Sequence, residues 1–188
     1  LNDDLLAALE ENKDIETIYI AARWSMYMET TVLEGEKKSR EFLGDDSSLE
    51  ESIENSQRTF RDGLIRTIEF LQKKNKDIII FEQIPSYNYD PANCMIKRTQ
   101  YPDLFKEPCS IATNFVQQRQ ESYLKIFSEV KSQYPEVEII SLSPLLCDET
   151  MCNSATGGIP LYMDNDHLNA TGAKLLAEKY LANLISGI

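Results

Sequence analysis

The sequence predicts an α/β fold of three layers, α/β/α, built on a mostly parallel sheet, and three observations predict it. Three apolar runs, Thr17 to Ala22, Asp77 to Glu82 and Val137 to Leu142, alternate with segments whose apolar residues recur at helical spacing. Repeated strand-helix alternation gives parallel strands joined by crossover helices. The runs are continuous rather than broken by polar residues, the pattern of strands covered on both faces. Finally, 188 residues with 42% hydrophobic content are enough for one sizeable core, so residues 1–188 are expected to form a single domain.

Taken in order, a short helical pattern at Asp4 to Leu9 precedes the first strand. At that strand's carboxyl end Ala21-Ala22 leaves room for close approach, and Arg23, Trp24 and Ser25 are expected to project from its tip. Sites in open parallel sheets gather at such tips, which makes these three candidates for substrate contact. Trp24 serves equally well as core packing and Arg23 as a structural ion-pair partner. From Glu29 to Asn55 the sequence is charged and irregular, with the acidic-serine tract Asp45 to Glu51, and reads as a solvated excursion.

Phe60, Leu64, Ile65, Ile68 and Leu71 mark one face of a helix from about Ser56 to Lys74, and Asn75-Lys76 turns the chain into the second strand. Gln83-Ile84-Pro85 then opens a segment, 86–113, with three prolines, three tyrosines and two cysteines but no periodicity. It is expected to be a disulfide-pinned insertion acting as a lid or substrate contact. A helix over about Asn114 to Gln133 presents Val116, Tyr123, Ile126, Phe127 and Val130 on one side and leads to the third strand. After a second cysteine loop, Gly157-Gly158 turns the chain toward a last apolar-periodic segment that runs from Leu168 to Ile185.

Composition narrows the function. Nineteen basic against thirty-one acidic residues leave a net charge of −12, which repels phosphate backbones and anionic headgroups and excludes nucleic acid as a partner. No run approaches the ~18 apolar residues of a membrane span. The start, Leu1-Asn2-Asp3-Asp4, lacks a signal peptide's features, so any export signal or anchor is expected outside this chain.

Four cysteines in polar loops suggest disulfides and an oxidising compartment. Three connectivities are possible, and proximity favours Cys94 with Cys109 and Cys147 with Cys152. On the loop-entropy model these bonds contribute roughly 3 and roughly 2 kcal/mol respectively. The alternative, structural zinc, would want paired C-x2-C spacing that is absent, so no metal is expected.

The chemistry concentrates in Tyr162-Met163-Asp164-Asn165-Asp166-His167-Leu168-Asn169, which holds the sequence's single histidine. Imidazole titrates near pH ~6.5, so His167 is the side chain suited to moving protons near neutrality. Asp164, three residues earlier in a tight loop, can fold back onto Nδ1 and hold the tautomer, as the acid of a nucleophile-histidine-acid triad does. Asp166 competes for that place, but an adjacent residue usually points elsewhere.

An Asp-x-x-His loop opening the last helix resembles the final block of the SGNH/GDSL hydrolase superfamily. The surrounding Gly158 to Asp164, Leu168-Asn169 and Gly172-Ala173, the Ile20-Ala21-Ala22-Arg23-Trp24-Ser25 block and the Ile80-to-Pro85 strand end are similar to the periplasmic SGNH domain fused to type 3 membrane acyltransferases. Those proteins O-acetylate bacterial surface polysaccharides. The resemblance spans most of the chain. It implies a flavodoxin-like three-layer sandwich, no cofactor, and a periplasmic location as part of an inner-membrane protein. It further implies acetyl transfer through an acyl-serine to a polysaccharide hydroxyl, the acyl donor coming from an N-terminal membrane acyltransferase domain. His167 would be base and acid and Asp164 its orienting partner. An acetylesterase uses the same groups, and a non-catalytic carbohydrate-binding domain is the alternative from another class.

The family's Gly-Asp-Ser nucleophile motif is echoed at Gly44-Asp45-Asp46-Ser47 but preceded by Lys37-Lys38-Ser39-Arg40-Glu41-Phe42-Leu43, which offers no apolar strand to hold a serine at its tip. The resemblance therefore places the nucleophile upstream of Leu1, with the chain as the carboxyl-terminal portion of its domain, and Ser25 as the substitute within it. No oxyanion glycine or asparagine is identified; Asn88 and Asn93 merely follow a central strand.

Overall fold

Elements in chain order are β1 (Thr17–Ile20), α1 (Ile53–Lys73), β2 (Asp77–Phe81), α2 (Pro91–Gln100), β3 (Ser110–Ala112), α3 (Thr113–Gln133), β4 (Glu138–Ile140), β5 (Met151–Asn153), β6 (Ala155–Thr156), β7 (Ile159–Pro160) and α4 (Ala170–Ser186). The computed structural model describes residues 8, 9, 12–28 and 42–186, with side chains as far as residue 180. Most of the expected Asp4 to Leu9 helix and the first part of the Glu29 to Asn55 excursion lie outside the described residues. The described chain forms two compact units: one from the chain up to Gln83 together with Gln120–Ile140, the other from Ile84–Arg119 together with the chain from Ser141 onward.

The first unit carries the parallel sheet, ordered β1-β2-β4, with Thr17 opposite Asp77 and Ile79 opposite Glu138. An order that advances in one direction, joined by right-handed crossovers, brings both crossover helices to one face. Accordingly Ile18, Ile20, Ile78, Ile80 and Ile139 share a core with Leu64, Ile68 and Leu71 of α1 and Tyr123, Phe127 and Val130 of α3. Tyr19, of opposite parity and 65% exposed, stacks on Phe81 at 6.2 Å. The α/β class with a parallel sheet is the one expected, although the strands are shorter. The first ends at Ile20 because the chain then coils into a 3-10 turn, Trp24–Tyr27, which tucks Trp24 back under β2.

In the second unit Tyr87, Ile111, Val116, Leu146, Leu161, Tyr162 and Leu176 build a separate core. β3 and β5 pair antiparallel, and Gly157 and Gly158, with φ of +55° and +81°, make the two-residue turn between β6 and β7. Both expected disulfides, Cys94–Cys109 and Cys147–Cys152, are present.

The segment 86–113 departs from the aperiodic loop expected, since it contains α2 and β3. The Asp90 side chain caps α2 by accepting from the Asn93 amide, and Pro91 is the sole buried residue of the helix. A helix that packs so little of itself has no apolar stripe to read; Asp followed by Pro, a cap and a first-turn residue, was the available signal. Among the described residues no helix is long and apolar enough to cross a membrane.

Candidate active site

The loop between β7 and α4 is fixed from both ends. Leu161 and Asn169 are tied by the Asn169 amide to the Leu161 carbonyl at 2.9 Å, and Met163 donates to the His167 carbonyl at 2.8 Å. Asn169 then starts the helix, its Oδ1 accepting from the Gly172 amide at 2.8 Å while its Nδ2 donates to the Pro160 carbonyl at 2.8 Å. Gly172 is required here. A Cβ at that position would lie 2.1 Å from the Leu161 carbonyl oxygen, so the first turn of α4 rests directly on the backbone that leads into the loop.

Two buried tyrosines support this frame. The Tyr162 hydroxyl donates to the Pro85 carbonyl at 3.0 Å, the Tyr87 hydroxyl to the Cys152 carbonyl at 3.2 Å, and the rings meet edge to face at 4.9 Å. The Tyr87 amide reaches the loop itself, donating to the Asn165 carbonyl at 2.7 Å. Burial pushes both phenols far above their ordinary range, so they stay neutral donors and take no part in proton transfer.

Within the frame, Asp164 bends the loop by accepting at Oδ1 from the amides of Asp166 (3.0 Å) and His167 (2.8 Å). The same carboxylate faces the imidazole, with Oδ1 and Oδ2 at 3.0 and 2.9 Å from Nδ1. Burial pushes the Asp164 carboxyl up, but the two amides and the imidazole together outweigh it and hold it below the ordinary range. The group is therefore an anion at neutral pH.

Asp166 does not point elsewhere, as an adjacent residue was expected to: its Oδ1 lies 3.2 Å from Nδ1, and its side chain is 7% exposed against 65% for His167. The tight turn closed on Asp164 is what swings neighbouring side chains to one side. With Nδ1 committed to carboxylates, Nε2 is the nitrogen left for chemistry on a substrate. The three side chains could offer donor atoms within 4.8 Å of one another to a cation. Both carboxylates are already directed at Nδ1, however, and an ion between them would take the place of the proton they hold.

The remaining candidates lie in other surroundings. Trp24 belongs to the core of the first unit, packed edge to face on Phe60 and Phe127, with its Nε1 donating to the Phe81 carbonyl at 2.7 Å. Ser25 is 1% exposed; its amide donates to Gln83 Oε1 at 2.9 Å, and its hydroxyl has no hydrogen-bond partner among the described residues. Arg23 is half-buried beside them. Asn93 is taken up by the start of α2, its Nδ2 donating to Asp90 Oδ2 at 2.6 Å, whereas Asn88 is exposed.

Gly44-Asp45-Asp46-Ser47 is a structural turn. The Ser47 hydroxyl donates to Asp45 Oδ1 at 2.6 Å, and the Asp45 carboxylate takes both terminal nitrogens of Arg58 at 3.0 Å.

Comparison with known proteins bears on the family and the fold. The family described as "SGNH domain (fused to AT3 domains)" matches residues 1–182. Among solved structures, the lipopolysaccharide acetyltransferase periplasmic domain of Salmonella ser. Paratyphi A is similar, with a TM-score of 0.65 at 17% identity. The match covers 98% of this chain and 62% of that one. No curated protein matches the chain.

Proposed function

We propose, from the premise that this chain belongs to the family of SGNH domains fused to AT3 domains, that it supplies the histidine and acid of an O-acetyltransferase acting on a cell-surface polysaccharide outside the cytoplasm. The observation that carries the reading is the Asp164 carboxylate seated on Nδ1 of an exposed His167. The two disulfides accord with an oxidising compartment.

In the proposed cycle His167 Nε2 takes the proton of a serine hydroxyl as its oxygen bonds to the acetyl carbonyl carbon. It returns that proton to the leaving group as the bond to the donor breaks. A sugar hydroxyl then attacks the acyl-serine, passing its proton to Nε2, and the proton ends on the released serine. Throughout, Asp164 keeps the Nδ1–H tautomer and balances the imidazolium charge. The serine is assigned to a Gly-Asp-Ser strand preceding this chain in its protein, and the acyl donor to the membrane acyltransferase part.

The test compares the 188-residue chain with a longer polypeptide that includes such a strand, on p-nitrophenyl acetate with and without an acceptor sugar. The longer protein should be active, acetylate the sugar, and lose at least about 10⁴-fold in rate on His167→Ala. Activity that survives His167→Ala overturns the triad. Rapid turnover by the short chain that Ser25→Ala abolishes would move the nucleophile to Ser25. Acetate release with no acetylated sugar would make the enzyme an esterase.

A further inference from the structure

The least typical surface of the second unit is the end of α2 and the turn after it. Residues 99–108 are exposed without interruption. Within this stretch and the last turn of the helix stand four large apolar side chains, Ile96, Tyr101, Leu104 and Phe105, with Leu104 77% exposed. The charge is also local: the chain carries −12 in total, yet 96–108 contains Lys97, Arg98 and Lys106 against Asp103 and Glu107. Lys97 Nζ lies 5.8 Å from the Phe105 ring centroid, which joins the basic and aromatic residues into one face.

The segment is also held. The Asp90 cap and the Cys94–Cys109 bond fix its base, and the amides of Leu104 and Phe105 donate to the Tyr101 carbonyl at 3.0 and 3.1 Å. An ordered protrusion with apolar tips and a basic flank is presented with little ordering cost left on contact.

We propose that residues 96–106 are a membrane-docking knuckle that seats this domain on an anionic bilayer surface, with Leu104 and Phe105 entering the headgroup boundary and the cations on lipid phosphates. Two observations choose the lipid. Aliphatic Ile96 and Leu104 fit acyl chains, whereas sugars are gripped by aromatic faces and hydrogen bonds. The family is fused to AT3 domains, which on the reading above are membrane acyltransferases, so a bilayer lies within reach. The overall negative charge does not prevent this, because beyond about 8 Å it is screened at physiological salt, while cations at the surface act at contact.

Flotation of the 188-residue chain with vesicles of phosphatidylcholine, with or without phosphatidylglycerol, tests the proposal independently of any acetyl transfer. The chain should float with the phosphatidylglycerol vesicles and release as sodium chloride rises. Leu104→Asp with Phe105→Asp should abolish flotation, and Lys97→Glu with Arg98→Glu should weaken it at least about tenfold. In Leu104→Trp the new indole should shift its emission to the blue on the same vesicles. Circular dichroism should show every variant folded, as these side chains are exposed. No flotation, or flotation that the variants leave intact, overturns the proposal. Failure on vesicles together with Tyr101- and Phe105-dependent binding of a lipid-free O-polysaccharide would reassign the face to sugar.

Discussion

Asp45 and Asp164 head the same backbone turn and are put to different ends. Each carboxylate accepts from the amides two and three residues ahead: Ser47 and Ser48 at 3.0 and 3.2 Å for Asp45, Asp166 and His167 at 3.0 and 2.8 Å for Asp164. Asp148 repeats the pattern at 2.8 Å to both Thr150 and Met151. The turn is thus a common local solution that the chain uses repeatedly, and by itself it makes no site. What separates the two loops is the residue at the third position and the group the acid meets. Asp45 meets the permanently charged, non-transferring Arg58, so it can only hold structure. Asp164 meets an imidazole, which can exchange its proton.

The sharpest way to break the contrast is to remove each charge while keeping the turn. An asparagine oxygen still accepts from both amides, so Asp164→Asn should leave the fold intact and lower acetyl-transfer rate by about 10⁴-fold in the active polypeptide. A drop below tenfold would mean that the turn, and not the charge, matters at Nδ1. Next comes the support behind the loop: Gly172→Ala, with its Cβ driven onto the Leu161 carbonyl, should cost roughly 3 kcal/mol or more by urea denaturation. An unchanged midpoint would show that α4 can slide.

Asp166→Asn should have a smaller effect, about tenfold in rate with little change in KM, because its carboxylate faces Nδ1 from 3.2 Å without the paired approach of Asp164. The mildest effect is expected at Asp45, where Arg58 first, and then Ser47, hold the carboxyl far below its usual range. A folded-state pKa below the unfolded one contributes stability above about pH 4, and this is lost as pH falls toward the folded value. Asp45→Asn should therefore lower the urea midpoint at neutral pH, flatten the acid limb of its pH profile, and leave catalysis untouched.

How much of this was readable from residues alone follows the same divide. The strands β1, β2 and β4 announce themselves as continuous apolar runs, the helices α1 and α3 because apolar residues recur at helical spacing along the face each buries, and the Asp164–His167 contact because three residues is the span of a tight turn. The catalytic roles proposed for His167 and Asp164 rest on family resemblance rather than on periodicity. Unread were α2, which buries little, and the inward set of Asp166, which depends on how the turn rotates its second residue. The destination of Trp24 was also open: a ring at a strand end suits a cleft or a core, and only the packing of Phe60 and Phe127 around it decides.

The parallel pairing of Thr17 with Asp77 and of Ile79 with Glu138 has a consequence for how the chain is made. Each strand must wait for a partner that emerges much later from a ribosome or an export channel, and such distant pairings close slowly. Cys94 and Cys109 both emerge before β4 can dock, so the order of synthesis favours oxidation of that pair while the sheet edge at β2 still awaits its neighbour. Newly delivered chains should therefore pass through a stage in which the β2 edge is open, accessible to protease and prone to aggregate until β4 arrives.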